Sequence, residues 1–426
     1  MRALPLALVL LALSATVARA TPVEAVLDSV QYRAFRYMWL EANAANGMIR
    51  DRSQSGSPCS IAAVGFGLSA ICVGIDHAWI TRAEGAARVL TTLQTFWTKP
   101  QGTATTGNIG YRGFFYHFLF MDTALRRWDW NTELSSIDSA LLLAGILDCK
   151  AYFTGADATE TQIRSLADQI YQRVEWDWML NPGNGAIRHG WQPNGGDGTF
   201  LPYDWIGYNE AMIVYILALG SPTHAVPDTS WDTWTGGYNW SNPGYGGVPY
   251  VVFPPLFGHQ YSHCWVDFRN RRDAYMQSKG IDYFENSRRA TLAQQAYCIA
   301  NPFARIGYGA NQWGLTAGDG PTGYNARGAP PAQNDDGTIT PTAVASSLPF
   351  APEICLPTLQ NLFDNYPLLW GAYGFRDGFN LTRNPDWYGP DFLGIDQGPM
   401  VLMIENYRNG SIWNRFMQLP EIQLGM

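Results

Sequence analysis

The sequence contains very little lysine and no concentration of positive charge. Lysine occurs only at Lys99, Lys150 and Lys279, the arginines are scattered, and the formal net charge is −8 over 426 residues. Nucleic acids and anionic membranes bind clustered basic side chains, so this composition argues against both as partners. Beyond the first twenty residues, no apolar run is long enough to span a membrane. We expect a monomer without a membrane span.

Several chemical motifs are also absent. The chain has no glycine-rich phosphate loop, no Gly-x-Ser-x-Gly turn and no Cys-x-x-Cys pair, so kinase, α/β-hydrolase and zinc-ribbon functions have no support. The cysteines occur singly, at positions 59, 72, 149, 264, 298 and 355. Several of them fall in apolar or helical runs, where a thiol behaves as a small hydrophobic group. We therefore expect mostly unpaired cysteines, with at most one or two disulfides.

Residues 1–20 have the pattern of a secretory signal peptide. Arg2 precedes a short apolar stretch, and Ala18-Arg19-Ala20 is a small-x-small cleavage site. Cleavage near Ala20 would export the protein to the periplasm or the medium. Loss of the two arginines changes the formal net charge from −8 to about −10.

Helical patterns dominate the rest of the chain. Amphipathic helices are predicted over 24–44, 79–98 and 159–178, and helices apolar almost all round over 59–75, 136–153 and 206–219. More mixed helical patterns cover 264–277, 281–300, 353–365 and 396–408. Alternation of amphipathic and apolar helices predicts an all-α fold of two concentric helical rings. A helical solenoid is the rival architecture, but no repeat of fixed period is present.

Two segments do not fit the helical pattern. Tyr111 to Phe120 has strand-like aromatic residues and predicts a short β-hairpin or extended loop over one mouth of the barrel. Residues 301–350 are rich in Gly, Pro, Asn and Asp and predict a long ordered loop, a feature that is usually functional. No linker interrupts the chain, so residues 21–426 are expected to form a single domain.

Acidic residues stand at the start of three apolar helical runs. Glu210, Asp138 and Asp396 each have this position, which suggests paired carboxylates at one mouth of the barrel. Glu210 can serve as a general acid if apolar enclosure raises its pKa, or it can be a helix cap or ion-pair partner. Asp396 can face a ligand or act as an N-cap. Asp138 has capping-box spacing from Ser135, whereas Glu133 is free to bind sugar hydroxyls.

Aromatic residues accompany the acids. Asp204, Trp205 and Tyr208 precede Glu210 and have the composition of a sugar-binding subsite. Trp313 and Tyr324 lie in glycine-rich segments, where they can either stack on pyranose rings or fill a large core.

Two histidines resemble part of a metalloprotease motif. His259 and His263 are four residues apart, but Gln260 replaces the catalytic Glu and no third ligand is apparent. We expect no metal and no cofactor, and we expect His259 to hydrogen-bond substrate or to pack.

Long stretches of the chain carry a family resemblance. They are Cys59–Leu68, Gly113–Leu119, Glu133–Asp138, Gly207–His224, Pro255–His263, Glu285–Thr291, Ala326–Pro331 and Leu393–Pro399, with Asp51-Arg52, Asp319–Pro321 and Gly323-Tyr324. In these stretches, and over essentially the whole mature chain, the sequence resembles the bacterial glucoamylase-like domain family. It is most similar to glycoside hydrolase family 144, whose characterised members act on β-1,2-glucans.

The resemblance implies an (α/α)6 barrel and an inverting hydrolase that cleaves β-1,2-glucan internally. Glu210 would be the acid and Asp396 the base, with Asp138 and Glu133 in sugar subsites and Arg327 as a further substrate-binding residue. In a related family, proton transfer is thought to pass through a substrate hydroxyl and water, so the two carboxylates need not be close.

Three alternatives remain open from the sequence. The first is an exo-acting enzyme of the same family that releases sophorose. The second is a polysaccharide lyase, although an acidic, lysine-poor chain offers little to neutralise a uronate. The third is a non-catalytic glycan-binding protein, in which Glu210 would be dispensable.

Overall fold

The structure, a computed structural model, describes residues 22–194 and 196–426. The predicted signal peptide lies outside this part of the chain. The helices are α1 (Val23–Leu40), α2 (Ile61–Asp76), α3 (Arg82–Thr98), α4 (Ser136–Tyr152), α5 (Ala158–Gln172), α6 (Met212–Leu219), α7 (Thr229–Thr235), α8 (Ala274–Lys279), α9 (Tyr283–Ala300), α10 (Pro341–Ala345), α11 (Pro352–Asn365), α12 (Gly394–Arg408), α13 (Ser411–Phe416) and α14 (Pro420–Gly425).

The strands are short. They are β1 (Cys59–Ser60), β2 (Gly110–Tyr111), β3 (Phe114–Tyr116), β4 (Phe118–Leu119), β5 (Leu134–Ser135), β6 (Gly190–Gln192), β7 (Thr199–Phe200), β8 (Trp240–Ser241), β9 (Tyr250–Val251), β10 (Ala317–Gly318), β11 (Asn325–Ala326), β12 (Thr338–Ile339), β13 (Trp370–Gly371), β14 (Gly374–Phe375), β15 (Phe379–Asn380) and β16 (Trp387–Tyr388). The predicted mostly helical fold is therefore confirmed, with small sheets added to it.

The apolar helices form the interior. Helix α2 packs against α4 and α12, and α4 also packs against α6. The α2–α4 contact is very close, because a Cβ on Gly65 would lie 2.2 Å from the Leu141 carbonyl oxygen. The amphipathic helices lie outside them: α1 contacts α2 and α12, and α3 contacts α5. Burial follows the sequence pattern, since all residues of α2 from Ile61 to Gly74 are buried.

The predicted hairpin near residue 111 is confirmed and extends into a larger sheet. Strands β2, β3, β5, β6 and β7 form an antiparallel sheet in that order. Phe115 lies opposite Ser135, and Leu134 lies opposite Trp191. This register carries the chain from β3 past His117, whose backbone N–H donates to the Glu133 carbonyl at 3.0 Å. The sheet thus brings the side chains of His117 and Glu133 to the start of α4.

Some predicted helix boundaries are wrong. The helix predicted over 206–219 begins only at Met212, so Glu210 precedes it instead of lying in its first turn. Gly207 has a φ of +86°, and the Asn209 side chain accepts a hydrogen bond from the Ala211 N–H at 2.9 Å. This local turn competes with helix formation. The pattern over 264–277 is helical only in α8, and the short helices α7, α10, α13 and α14 were not predicted.

Other expectations from the sequence are met. Residues 301–350 are mainly irregular, apart from short strands and α10. All six cysteines are buried and free, and the sulfur atoms of Cys72 and Cys149 are 3.8 Å apart. In the part of the chain that the structure describes, no helix combines the length and apolarity that crossing a membrane requires.

Candidate active site

A cavity of about 720 Å³ lies at the N-terminal ends of α4, α6 and α12. Its charged lining residues are Asp51, Arg52, His117, Asp138 and Glu210. Its aromatic lining residues are Phe118, Trp130, Phe257, Tyr261 and Tyr324. A second cavity, of about 620 Å³, borders α6 and α14 and contains none of the predicted site residues. Of the three acids at the starts of apolar helical runs, Asp138 and Glu210 line the first cavity, whereas Asp396 does not.

Glu210 faces the cavity from the turn before α6. Its backbone carbonyl accepts from the Ser262 hydroxyl at 3.0 Å, and the same hydroxyl accepts from the Ile213 N–H, so Ser262 holds this turn to the helix. Burial raises the pKa of Glu210 to about 7, and the charge of Asp138 adds to the effect. No ion pair to Glu210 occurs among the described residues. This carboxyl group can hold a proton at neutral pH and release it.

His117 joins two of the acids. Its Nδ1 lies 2.8 Å from Glu133 Oε1, and its Nε2 lies 3.4 Å from Asp138 Oδ1. Burial would lower the pKa of His117, but the two carboxylates outweigh it and raise the pKa to about 9. Although these three side chains have the ligand types of a metal site, both ring nitrogens face carboxylates. That arrangement favours an imidazolium that donates two hydrogen bonds.

Asp138 also belongs to the start of α4. The Ser135 hydroxyl accepts from the Asp138 N–H at 3.2 Å and lies 2.6 Å from Asp138 Oδ2, to which it donates. The predicted capping interaction is therefore present, and the same carboxylate still lines the cavity. Burial raises the pKa of Asp138 despite the adjacent imidazolium. Glu133 has a lowered pKa, because the hydrogen bond and charge of His117 outweigh its burial.

Asp396 lies behind the cavity wall in the first turn of α12. Its side chain does not cap the helix, because the N-cap residue is Leu393 and no side-chain cap bond is formed. Asp396 is 3 % exposed, and its Oδ2 atom has no hydrogen-bond partner among the described residues. The neighbouring Ile395 lines the cavity, whereas Asp396 does not. Burial and the negative charges of Asp396 and Glu210 raise the pKa of Tyr261, so Tyr261 lies near both carboxyl groups.

A second buried carboxyl group, Asp377, accompanies Asp396. Burial raises the pKa of Asp377 to about 6, and burial together with the charge of Asp377 raises the pKa of Asp396. The negative charge of one carboxylate opposes ionisation of its neighbour, so the pair resists carrying two negative charges. Asp377 also accepts from the backbone N–H of Asp319, whose carboxylate binds Arg52 at 3.0 Å. Arg52 thereby connects the buried pair to the cavity wall.

Three of the residues predicted to bind sugar contact other parts of the protein. Asp204 accepts from the side-chain amides of Asn181 and Asn184 at 2.7 and 2.8 Å. Trp205 is 7 % exposed and donates to the Ser136 hydroxyl at 2.9 Å. Tyr208 is buried in an aromatic cluster. None of these three side chains lines the cavity that Glu210 lines.

His259, Trp313 and Arg327 also have contacts within the protein. His259 is fully buried, donates from Nε2 to the Phe253 carbonyl at 3.1 Å, and has its pKa lowered to about 3 by burial. Trp313 is fully buried, and Arg327 is buried with its guanidinium 2.8 Å from Asp336. None of the three lines the cavity. Tyr324 does line it and is 51 % exposed.

Several site residues were missed from the sequence. His117 interrupts an aromatic strand segment, and a lone titratable group there was the available signal. Tyr261, Asp51 and Arg52 lie within the sequence segments that carry the family resemblance, but no local pattern assigns them a role. Asp377 stands in an ordinary Arg-Asp-Gly turn and has no distinguishing local pattern. Its role depends on contact with a helix almost twenty residues later.

Both the sequence and the structure are similar to those of known proteins. A family model described as "Glycoamylase: Putative glucoamylase" matches residues 202–420. The chain is 32% identical over 432 residues to an exo β-1,2-glucooligosaccharide sophorohydrolase (non-reducing end) of Parabacteroides distasonis. That alignment covers 95% of this chain and 57% of the relative, so the chain spans little more than half of that curated protein.

Two solved structures are similar over nearly their whole lengths. A "putative glucoamylase" from Bacteroides uniformis has a TM-score of 0.86 and 34% identity, covering 96% of this chain and 97% of that chain. An endo-β-1,2-glucanase from Chitinophaga pinensis, in complex with sophorotriose and glucose, has a TM-score of 0.82 and 29% identity. That match covers 95% of this chain and 97% of the other.

Proposed function

This chain belongs to the glucoamylase-like family just described, and from that premise we propose that it is an inverting endo-β-1,2-glucanase. The observation that carries the proposal is the state of Glu210, a cavity carboxyl whose pKa burial raises to about 7. A general acid works best when its pKa is near the working pH, because it is then protonated and still able to donate. A helix cap or ion-pair partner would instead have a lowered pKa.

Glu210 donates a proton to the glycosidic oxygen as the bond to the leaving sugar breaks. The cavity also suits a neutral substrate. Three of its lining residues are acidic (Asp51, Asp138 and Glu210), whereas Arg52 and His117 are engaged with carboxylates. An anionic uronate would be repelled there, which disfavours the lyase alternative. Uncharged glucose units meet hydrogen-bonding groups and aromatic rings.

Asp396 is the proposed base. The Asp377–Asp396 pair retains one negative charge near neutral pH, so it can accept the proton that the attacking water releases. Since Asp396 lies behind the wall, the proton reaches it through a bound water or a substrate hydroxyl. Inverting enzymes tolerate such a separation, because the water needs room on the face opposite the leaving group.

The remaining parts of the proposal concern architecture and location. The packing of α2 with α4 and α12, inside α1, α3 and α5, supports an (α/α)6 double ring. The N-terminal pattern supports export to the periplasm or the medium. We also propose that residues 21–426 form a single domain and that the enzyme is a monomer. Mass spectrometry of the exported protein should find an N-terminus within a few residues of Thr21. Size-exclusion chromatography with light scattering tests the monomer.

Product analysis on linear β-1,2-glucan tests the activity. Wild-type protein should generate reducing ends and a mixture of oligosaccharides, whereas Glu210→Gln should be at least about 100-fold slower. The exposed substitution Glu24→Gln serves as the matched control and should leave the rate unchanged. Sophorose as the only early product would indicate the exo alternative. An unsaturated product would indicate a lyase, and binding without any product would indicate a glycan-binding protein.

A further inference from the structure

Two exposed tryptophans stand at the edge of the cavity. A single 3₁₀ turn, Trp128–Trp130, follows β4 and precedes β5. Trp130 is 49% exposed and lines the cavity, while Trp128 is 55% exposed and lies outside it. Five other tryptophans are fully buried, among them Trp191 and Trp313. Tryptophan is enriched at binding interfaces, because its ring is apolar and its N–H is polar.

The turn that carries the two indoles is held on its protein side. The Arg127 guanidinium lies 4.8 Å from the centre of the Trp130 ring, and Phe118 contacts that ring edge-on at 5.4 Å. Asp129 in turn accepts from Arg127 Nε at 2.7 Å. The Arg127 backbone N–H donates to the Phe118 carbonyl at 2.8 Å, which ties the turn to β4. Trp130 is therefore ordered before any ligand binds, which lowers the entropic cost of binding.

The turn is continuous with the proposed active site. Phe118, which contacts Trp130, directly follows His117, and both line the cavity that contains Glu210. A glucan chain that occupies the cavity and leaves it on this side crosses Trp130 first. Trp128 lies two residues earlier in the same turn and does not line the cavity.

The surroundings of the indoles select a sugar chain over a protein partner. The two tryptophans alternate with polar residues, Asp129 and Asn131, both exposed. Gln192 lies against the turn, since its side-chain amide donates to the Asn131 carbonyl at 2.9 Å. Protein interfaces have contiguous apolar cores, whereas a pyranose presents an apolar face bordered by hydroxyl groups. Separate indoles with polar neighbours match that second pattern.

We propose that Trp130, at the edge of the cavity, and Trp128, outside it, form an outer subsite that binds glucose units of β-1,2-glucan beyond those next to Glu210. The inference rests on the proposed function and deepens it, because it makes catalytic efficiency depend on chain length. Long chains gain stacking contacts that short oligosaccharides cannot reach.

The test compares long and short substrates. We expect Trp130→Ala and Trp128→Ala each to lower kcat/KM on linear β-1,2-glucan by about tenfold, through KM, as one lost aromatic stacking contact predicts. On the shortest oligosaccharide that the wild-type enzyme cleaves, Trp128→Ala should stay within about twofold of wild type, because Trp128 lies outside the cavity. Trp97→Ala, which removes a partly exposed indole on α3, is the matched control. It should leave kcat/KM on both substrates unchanged.

A binding measurement separates the subsite from catalysis. In a Glu210→Gln background, native gels containing β-1,2-glucan should retard the parent variant, and each added tryptophan substitution should reduce that retardation. Thermal melting of each variant checks that the fold is intact. If Trp128→Ala lowered kcat/KM equally on long and short substrates, or on neither, the proposed subsite would be refuted. If wild-type protein neither cleaves nor binds β-1,2-glucan, the proposed function fails, and the subsite fails with it.

Discussion

The substitution Glu210→Gln should inactivate the protein and at the same time stabilise it. In the native state burial raises the pKa of Glu210 from 4.5 to about 7. A carboxyl group whose pKa is raised by folding adds nothing unfavourable below pH 4.5, because it is protonated in both states. Between pH 4.5 and 7 the unfolded state loses its proton first, so native stability falls. Above about pH 7 the penalty stays constant.

The size of the effect follows from the pKa values. At about 1.36 kcal/mol per pKa unit, a pKa of about 7 costs the native state roughly 3 kcal/mol above neutral pH. Glutamine has the same shape and no charge, so the variant escapes this cost. For a chain of about 400 residues, with an unfolding entropy near 2.1 cal/mol/K per residue, the melting temperature should rise by about 4 °C at pH 8. At pH 4.5 the gain should almost vanish.

Calorimetry of both proteins between pH 4.5 and 8.5 measures this difference. The exposed Glu24→Gln variant controls for the general effect of removing one negative charge. If the melting temperature of Glu210→Gln at pH 8 were equal to or below that of wild type, burial would not be raising the pKa of Glu210. Glu210 would then be ionised at neutral pH and poorly suited to act as a general acid.

Four further outcomes are expected. Asp396→Asn should abolish turnover while leaving glucan binding in a native gel largely unchanged, and retained turnover would remove Asp396 from the mechanism. NMR during early hydrolysis should detect the α-anomer first, since an inverting pair delivers water to the face opposite the leaving group; the β-anomer would reject that mechanism. Activity should survive EDTA, because both ring nitrogens of His117 face carboxylates; loss of activity that one divalent ion restores would contradict this. His117→Gln should lower the free energy of unfolding by about 2 kcal/mol below pH 6.5, allowing for solvent screening, and the difference should shrink as pH rises through about 9. A difference that does not change with pH would show that His117 is not held as an imidazolium.

Much of the helical framework could be predicted from local pattern. Helices α2 and α4 are apolar on all sides, and such a helix is stable only when other helices surround it. The same reasoning located Asp138 and Asp396 in the first turns of α4 and α12. It failed for the start of α6, because Gly207 and Asn209 form a turn whose side-chain hydrogen bond replaces the first helical turn.

The sequence alone thus determined the helical class and the segments that carry the acids, because periodicity and composition are local properties of the chain. The family followed from the resemblance of long sequence segments. The tertiary structure decided which side chains face the cavity. Trp205 and His259 have the composition of a sugar site, yet packing against distant elements buries them. Conversely, Asp377 becomes important only because folding places it beside Asp396 in a medium of low dielectric. Burial and charge proximity are sums over contacts between residues far apart in the chain, and a linear pattern does not contain them.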